Sequence, residues 1–147
     1  MVRHFNPAAM PAPVAPIYAQ ISVMPAGALA FIAGQVAIDA EGQLIGKDDH
    51  RLQAEQCFRN LKAALDALGV GTEHVVRMGL HVVRHCDELV GPIFEAGHSV
   101  FGQGWPVCAS LFLGVQALGH SDWLVEVDAV VSLPAGSAAL GFSERAR

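Results

Sequence analysis

Along the chain the spacing of apolar and polar positions changes several times, and each change predicts an element. After the proline-rich, extended lead-in Asn6-Pro7-Ala8-Ala9-Met10-Pro11-Ala12-Pro13, Ile17 to Val23 reads as an edge strand. Pro25 and Gly27 mark a turn, and Leu29 to Ile38 reads as a second strand interrupted by Gly34, a position that points to a bulge or to close approach of another group to the backbone. Asp39-Ala40-Glu41-Gly42 turns the chain again. From about Asp49 the period becomes helical: Ala54, Cys57, Phe58, Leu61, Ala64, Leu65 and Leu68 form one stripe, with Asp48 or Asp49 as the starting cap and Gly69 as the stop. Alternation then returns, with Val76, Met78, Leu80 and Val82 on one face of a strand and Arg77, Gly79 and His81 on the other. A second helix begins at Cys86-Asp87-Glu88-Leu89, with Val90, Ile93, Phe94 and Gly97 inward, and ends near Gly102 or Gly104; Pro92 leaves its first turn open. Cys108 to Leu118 and Asp122 to Leu133 are the last two strands, followed by a tail without period from residue 134 to 147.

This order predicts a single α+β domain over 1–133, with two helices covering one face of a mixed sheet of roughly four to six strands. The other face needs cover from elsewhere. Hydrophobic residues make up 52% of the 147 and charged ones 16%, a balance that favours self-association through that second face. The polar Tyr18 and Gln20 and the carboxylates of the last strand are expected there, making it a partly polar subunit interface.

The charge pattern narrows the chemistry. A net charge of -5 with nine scattered Lys and Arg argues against nucleic acid as a partner, and there is no basic amphipathic stretch for a membrane surface. Without a secretion signal or a long apolar run the protein is expected to be cytoplasmic. The three cysteines, Cys57, Cys86 and Cys108, lack CxxC spacing and fit a reducing compartment. Of the seven histidines only His81 and His85 are close in sequence, and on a strand they stand about 13 Å apart, too far to chelate one ion; no metal site is expected.

One residue breaks the apolar pattern. Glu126 lies in Trp123-Leu124-Val125-Glu126-Val127-Asp128-Ala129-Val130-Val131, where alternation places Trp123, Val125, Val127, Ala129 and Val131 on one face and Leu124, Glu126, Asp128 and Val130 on the other. A carboxylate removed from water costs several kcal/mol unless partners hold it, so Glu126 is an acid at a solvated sheet face, a residue held by hydrogen-bond partners at an interface, a group of raised pKa, or one that handles a ligand. Cys108 has no assignable base and reads as an inert buried thiol rather than a nucleophile. Trp105 and Phe112 either line a cleft mouth or seal an interface.

Several segments together resemble the Rid family of reactive-intermediate imine and enamine deaminases, also called the YjgF family. They are Tyr18-Ala19-Gln20; Phe31-Ile32-Ala33-Gly34-Gln35-Val36-Ala37-Ile38-Asp39 with Gly42; the helix beginning Gln53 and containing Asn60-Leu61-Lys62-Ala63-Ala64-Leu65; Val75-Val76-Arg77; and Leu124-Val125-Glu126-Val127-Asp128-Ala129-Val130. The similarity spans roughly residues 3 to 132. It implies a chorismate-mutase-like α+β fold, a homotrimer with a central barrel-like core, and clefts between subunits in which small imines or enamines are hydrolysed without metal or organic cofactor. By the same resemblance Glu126 places the attacking water, Tyr18 joins it as a catalytic candidate, and the Ala33-Gly34 backbone shapes the pocket.

The family's substrate-carboxylate arginine is absent. Counting back from Gly114-Val115 and Glu126, its position falls on Ser110; counting forward from Pro106, on Cys108. An arginine binds a carboxylate with a bidentate, charge-assisted pair worth about 1.5 to 3 kcal/mol, whereas a serine hydroxyl offers one weaker bond. The expected activity is therefore hydrolysis or tautomerisation of an imine, enamine or related unsaturated metabolite, with a neutral or bulkier substrate favoured. Two alternatives stand beside it: a non-catalytic trimer that binds a small metabolite, and a pathway-specific enzyme using the same cleft for other chemistry.

Overall fold

The computed structural model describes residues 1–136; the tail expected from 134 onward lies, past 136, outside the described residues. Six strands and two helices follow in the order β1 (Arg3–Phe5), β2 (Ile21–Val23), β3 (Leu29–Gln35), α1 (His50–Leu68), β4 (Val75–Val83), α2 (Val90–Phe101), β5 (Ala109–Val115) and β6 (Val125–Ser132). β1 and β2 pair as a small antiparallel ribbon, while the main sheet has the order β3-β6-β4-β5. Only β4 and β5 run parallel, joined through α2 as a crossover. This is the expected α+β architecture: a mixed sheet with both helices on one face.

The helix ends follow local chemistry. Asp49 caps α1 by accepting a hydrogen bond from the Leu52 amide at 2.9 Å. Gly69 ends it in the left-handed region at φ 67°, its amide donating back to the Asp66 carbonyl. α2 starts later than the sequence suggests, because Asp87–Leu89 forms a short 3-10 turn and the α-helix proper begins at Val90. Pro92 thus falls in the first turn, where its missing N–H has no intrahelical acceptor to lose.

Gln53, Ala54, Cys57, Phe58, Leu61 and Leu65 of α1 pack on Met78, Leu80 and Val82 of β4 and on Val125, Val127, Ala129 and Val131 of β6. Each large side chain removed from water in this layer contributes roughly 1.5–3 kcal/mol. Two bulges alter the expected alternation. The β4–β6 register shifts between Val75 and Arg77, so Val75 rather than Val76 is fully buried. The β3–β6 register shifts between Ile32 and Gln35, at the glycine that interrupted the strand pattern.

Some expected strands are shorter. Ile17 to Ala19 do not belong to β2: the Trp105 ring N–H donates to the Ile17 carbonyl at 2.8 Å, and the Ala19 amide donates to the Cys108 carbonyl at 2.9 Å, strapping this stretch to the start of β5. Trp105 is 8% exposed and packs edge-on against Phe58 and Phe94, so it seals its own chain's core rather than a cleft mouth or an interface. Leu124 is buried although alternation puts it with Glu126, because β6 begins only at Val125 and the Leu124 amide donates to Gln53 Oε1 at 2.8 Å.

Candidate functional site

Strand pairing decides which side chains meet on the face that the helices leave open. In the antiparallel β4–β6 pair, His81 stands opposite Glu126 and Gly79 opposite Asp128. Directly opposed residues on one face bring their Cβ atoms to about 4.5–5.5 Å. Glycines make room for these side chains. A methyl group on Gly79 would fall 2.5 Å from Asp128 Oδ1 and 3.2 Å from His81 Nε2. A methyl group on Gly34 would collide with Glu126 Oε1, Cδ and Cγ, so the Glu126 side chain lies directly against the bulged Ala33-Gly34 backbone. The close approach expected at Gly34 is thus made by Glu126.

Ion pairs among the described residues join Glu55 to Arg51 and Arg59 and Lys62 to Asp66, and Glu73 lies 3.8 Å from the His74 ring; none of these contacts includes Glu126 or Asp128. The negative charge of Glu126 is nevertheless felt inside the core: after burial, it is the second cause pushing the Cys57 thiol far above its ordinary range. His81 Nε2 is buried without a hydrogen-bond partner. An orphaned buried ring nitrogen is costly, and its polar neighbour around the space beside Gly79 is Asp128 Oδ1 of the same chain. Among the described residues no set of three His, Cys, Asp or Glu side chains is placed to hold a metal ion.

Tyr18 and Ser110 lie elsewhere. Ser110 is in register with Met78 in the parallel β4–β5 pair and so points to the helix side of the sheet. Tyr18, Ser110, Val90, Phe94 and Phe112 line a cavity of about 340 Å³ at the β5 edge, open to solvent beside Val14. Tyr18 is therefore not on the open face with Glu126, as expected, but across the sheet from it. The strap that ties Ala19 to Cys108 is the physical reason. Cys108 itself is 0% exposed, and burial pushes its thiol up to about 12; it belongs to the core and does not line the cavity. Of the two residues at the missing arginine's position, Ser110 alone faces a space that a ligand can enter.

Ala33 and Gly34 are exposed, and Gly34 also lines an open recess of about 410 Å³ with Gln35, Val36, Asp39 and Asn60. Asn60 of α1 donates through Nδ2 to the Val36 and Ile38 carbonyls, both at 2.9 Å, holding the chain that leaves β3. His81, Asp128, Gly79 and Asn60 escaped the sequence reading as site residues. The first three share a face with Glu126 only through strand pairings between distant segments; Asn60, a polar residue beside the apolar stripe of α1, was the one readable signal.

A two-helix, mixed-sheet α+β domain is the architecture this chain shares with solved Rid and YjgF structures. The chain belongs to the Endoribonuclease L-PSP (Rid/YjgF) family, whose pattern matches residues 8–133. It is 32% identical over 127 residues to the RutC family protein slr0709 of Synechocystis, covering 84% of this chain and 91% of that one. A crystal structure of the Rid family protein YyfB from Yersinia pestis superposes with a TM-score of 0.81 at 33% identity, covering 90% of this chain and 98% of that one. The YjgF gene product of E. coli shares the fold, with a TM-score of 0.62 at 20% identity over 88% of this chain and 98% of that one. Family membership supports a role in processing small molecules. Among the described residues no helix is long and apolar enough to cross a membrane.

Proposed function

We propose that this protein hydrolyses or tautomerises a small imine or enamine, without a cofactor, in a cleft between neighbouring subunits of a homotrimer. The observation that carries the reading is the Glu126 carboxylate, held over the Gly34 backbone on the uncovered sheet face and outside every ion pair among the described residues. A structural carboxylate would be expected to have a cation beside it; one that handles protons needs room for water. In hydrolysis, the water oxygen adds to the C=N carbon while its proton passes to Glu126 and on to the nitrogen. Collapse of the carbinolamine to a carbonyl then breaks the C–N bond, the hydroxyl proton passing through Glu126 to the departing nitrogen, which leaves as ammonia. Such a positioned acid–base group contributes about 10²- to 10⁴-fold.

Tyr18 and Ser110 lie on the opposite side of the sheet from Glu126, so they join it only across a subunit boundary, with the β5 edge of one protomer meeting the open face of the next. The acidic charge balance does not favour RNA as substrate, whatever the family's description suggests.

The test is the decay of 2-iminopropionate and bulkier imino acids, generated in place by an amino-acid oxidase, and of an uncharged aryl-alkyl imine, generated in place by an amine oxidase, with wild-type protein and with Glu126→Gln. Acceleration of the uncharged imine by the wild type, reduced about 10²-fold or more in the variant, is expected. If the wild type accelerates none of them, imine hydrolysis is lost. The absence of a cation at Ser110 then favours a trimer that binds or transforms a different, uncharged metabolite.

A further inference from the structure

The cavity at the β5 edge differs in kind from a carboxylate-binding site. Val14 and Ile17 come from the N-terminal strap, Val90 and Phe94 from α2, and Leu111 and Phe112 from β5, while Tyr18 and Ser110 are its polar groups. None of the described residues that line it is basic. Phe94 and Phe112 are stacked at 5.9 Å with 29° between their planes, giving one wall an aromatic surface. A substrate carboxylate placed here would leave water with no cation and with two neutral hydroxyls as its polar side-chain neighbours, a loss that one or two ordinary hydrogen bonds do not offset. An apolar ring or branched chain would instead gain by leaving water.

We infer that this cavity binds the uncharged, apolar body of the substrate, an aryl or branched-alkyl group, and that the substrate carries no carboxylate next to its reacting carbon. The inference rests on the proposed reaction for what happens at that carbon, but the binding preference stands on the cavity alone. The volume fits: a site of about 150 Å³ already takes benzene, and this one, at about 340 Å³, takes an aromatic ring with a short chain. The hydroxyls fit as well. Tyr18 Oη accepts a long hydrogen bond from the Val14 amide at 3.4 Å, which leaves its own proton free to donate to a carbonyl oxygen or imine nitrogen. The reacting carbon then sits beside Tyr18 and Ser110, towards the neighbouring subunit's open face.

Stable ketones serve as probes of the full-length protein. Phenylacetone, phenylpyruvate and pyruvate are titrated by calorimetry, and the bound ring is located by methyl shifts of Ile17 and Val90 in NMR spectra. Phenylacetone is expected to bind at least about tenfold more tightly than phenylpyruvate, with pyruvate weakest. Ser110→Arg is expected to reverse the order of the first two. Phenylpyruvate binding the wild type as well as phenylacetone does, shifts confined to other methyls, or no binding of phenylacetone would each overturn the inference. The wild-type comparison decides the matter even if Ser110→Arg fails to fold. Phenylacetone binding in this cavity without any imine hydrolysis would sink the proposed reaction and leave the inference standing; hydrolysis of imino acids with tight phenylpyruvate binding would do the reverse.

Discussion

At Gly34 the requirement for glycine is steric rather than conformational. Its φ lies outside the left-handed region, so alanine suits the backbone, and the obstacle to a methyl group is the Glu126 side chain. Gly34→Ala is expected to displace the carboxylate and cost about 10²-fold in turnover, as Glu126→Gln does, while the urea unfolding free energy changes by less than about 1 kcal/mol. Unchanged turnover would mean that the position of Glu126 does not matter. The thiols give a second residue-level prediction. Cys86 is exposed, whereas Cys57 and Cys108 are buried, so native protein should react with one equivalent of Ellman's reagent at pH 8 and unfolded protein with three. Because burial raises the Cys108 thiol from 9.0 to about 12, the folded state keeps a proton that the unfolded chain releases. Stability is therefore complete below pH 9 and falls as pH rises from 9 toward 12, by up to about 1.4 kcal/mol per pH unit for each such thiol. Urea midpoints at pH 8 and pH 10.5 should separate more in wild type than in Cys108→Ala.

At the level of elements, Gln53 joins α1 to the entry of β6. Its Nε2 donates to the Asp122 carbonyl and its Oε1 accepts from the Leu124 amide, both at 2.8 Å, in a fully buried position. Gln53→Ala leaves that carbonyl and amide unpaired and is expected to lower stability by about 2–4 kcal/mol, measured by urea unfolding; a loss under 1 kcal/mol would show that water replaces the side chain. Both helices and the middles of β3 to β6 were legible in the sequence because each depends on a local period, and the α1 ends because Asp49 and Gly69 cap locally. The misses have a common cause in contacts between distant segments. Ile17 and Ala19 leave the strand pattern because Trp105 and Cys108 capture them, Leu124 is turned inward by Gln53, and β1 exists only because β2 pairs with it. The site was half legible for the same reason. Glu126 announces itself as a charge in an apolar strand, whereas His81 and Asp128 join it only through the β4–β6 register, and the separation of Tyr18 from Glu126 depends on which face of β5 the strap meets.

At the scale of the whole molecule, that separation makes assembly a condition of function in the proposed reading. The open face presents Phe31 at 77% exposed and Leu113 at 46%, beside the polar group of Glu126, Asp128 and His81. Burying Phe31 against another copy contributes roughly 1.5–3 kcal/mol per subunit. Phe31 has little packing within its own chain to lose, so Phe31→Glu should leave the fold intact by circular dichroism while setting a carboxylate into the interface on the face that carries Asp128 and Glu126. Light scattering should find wild type at three times the 15.5 kDa chain mass and the variant at one. Imine turnover should disappear with the trimer, because no single protomer brings Glu126 to the side of the sheet that holds Tyr18 and Ser110. A monomeric variant that retains full turnover would place the chemistry within one subunit and remove the cleft from the mechanism, and a wild type that stays monomeric at micromolar concentration would remove the trimer itself.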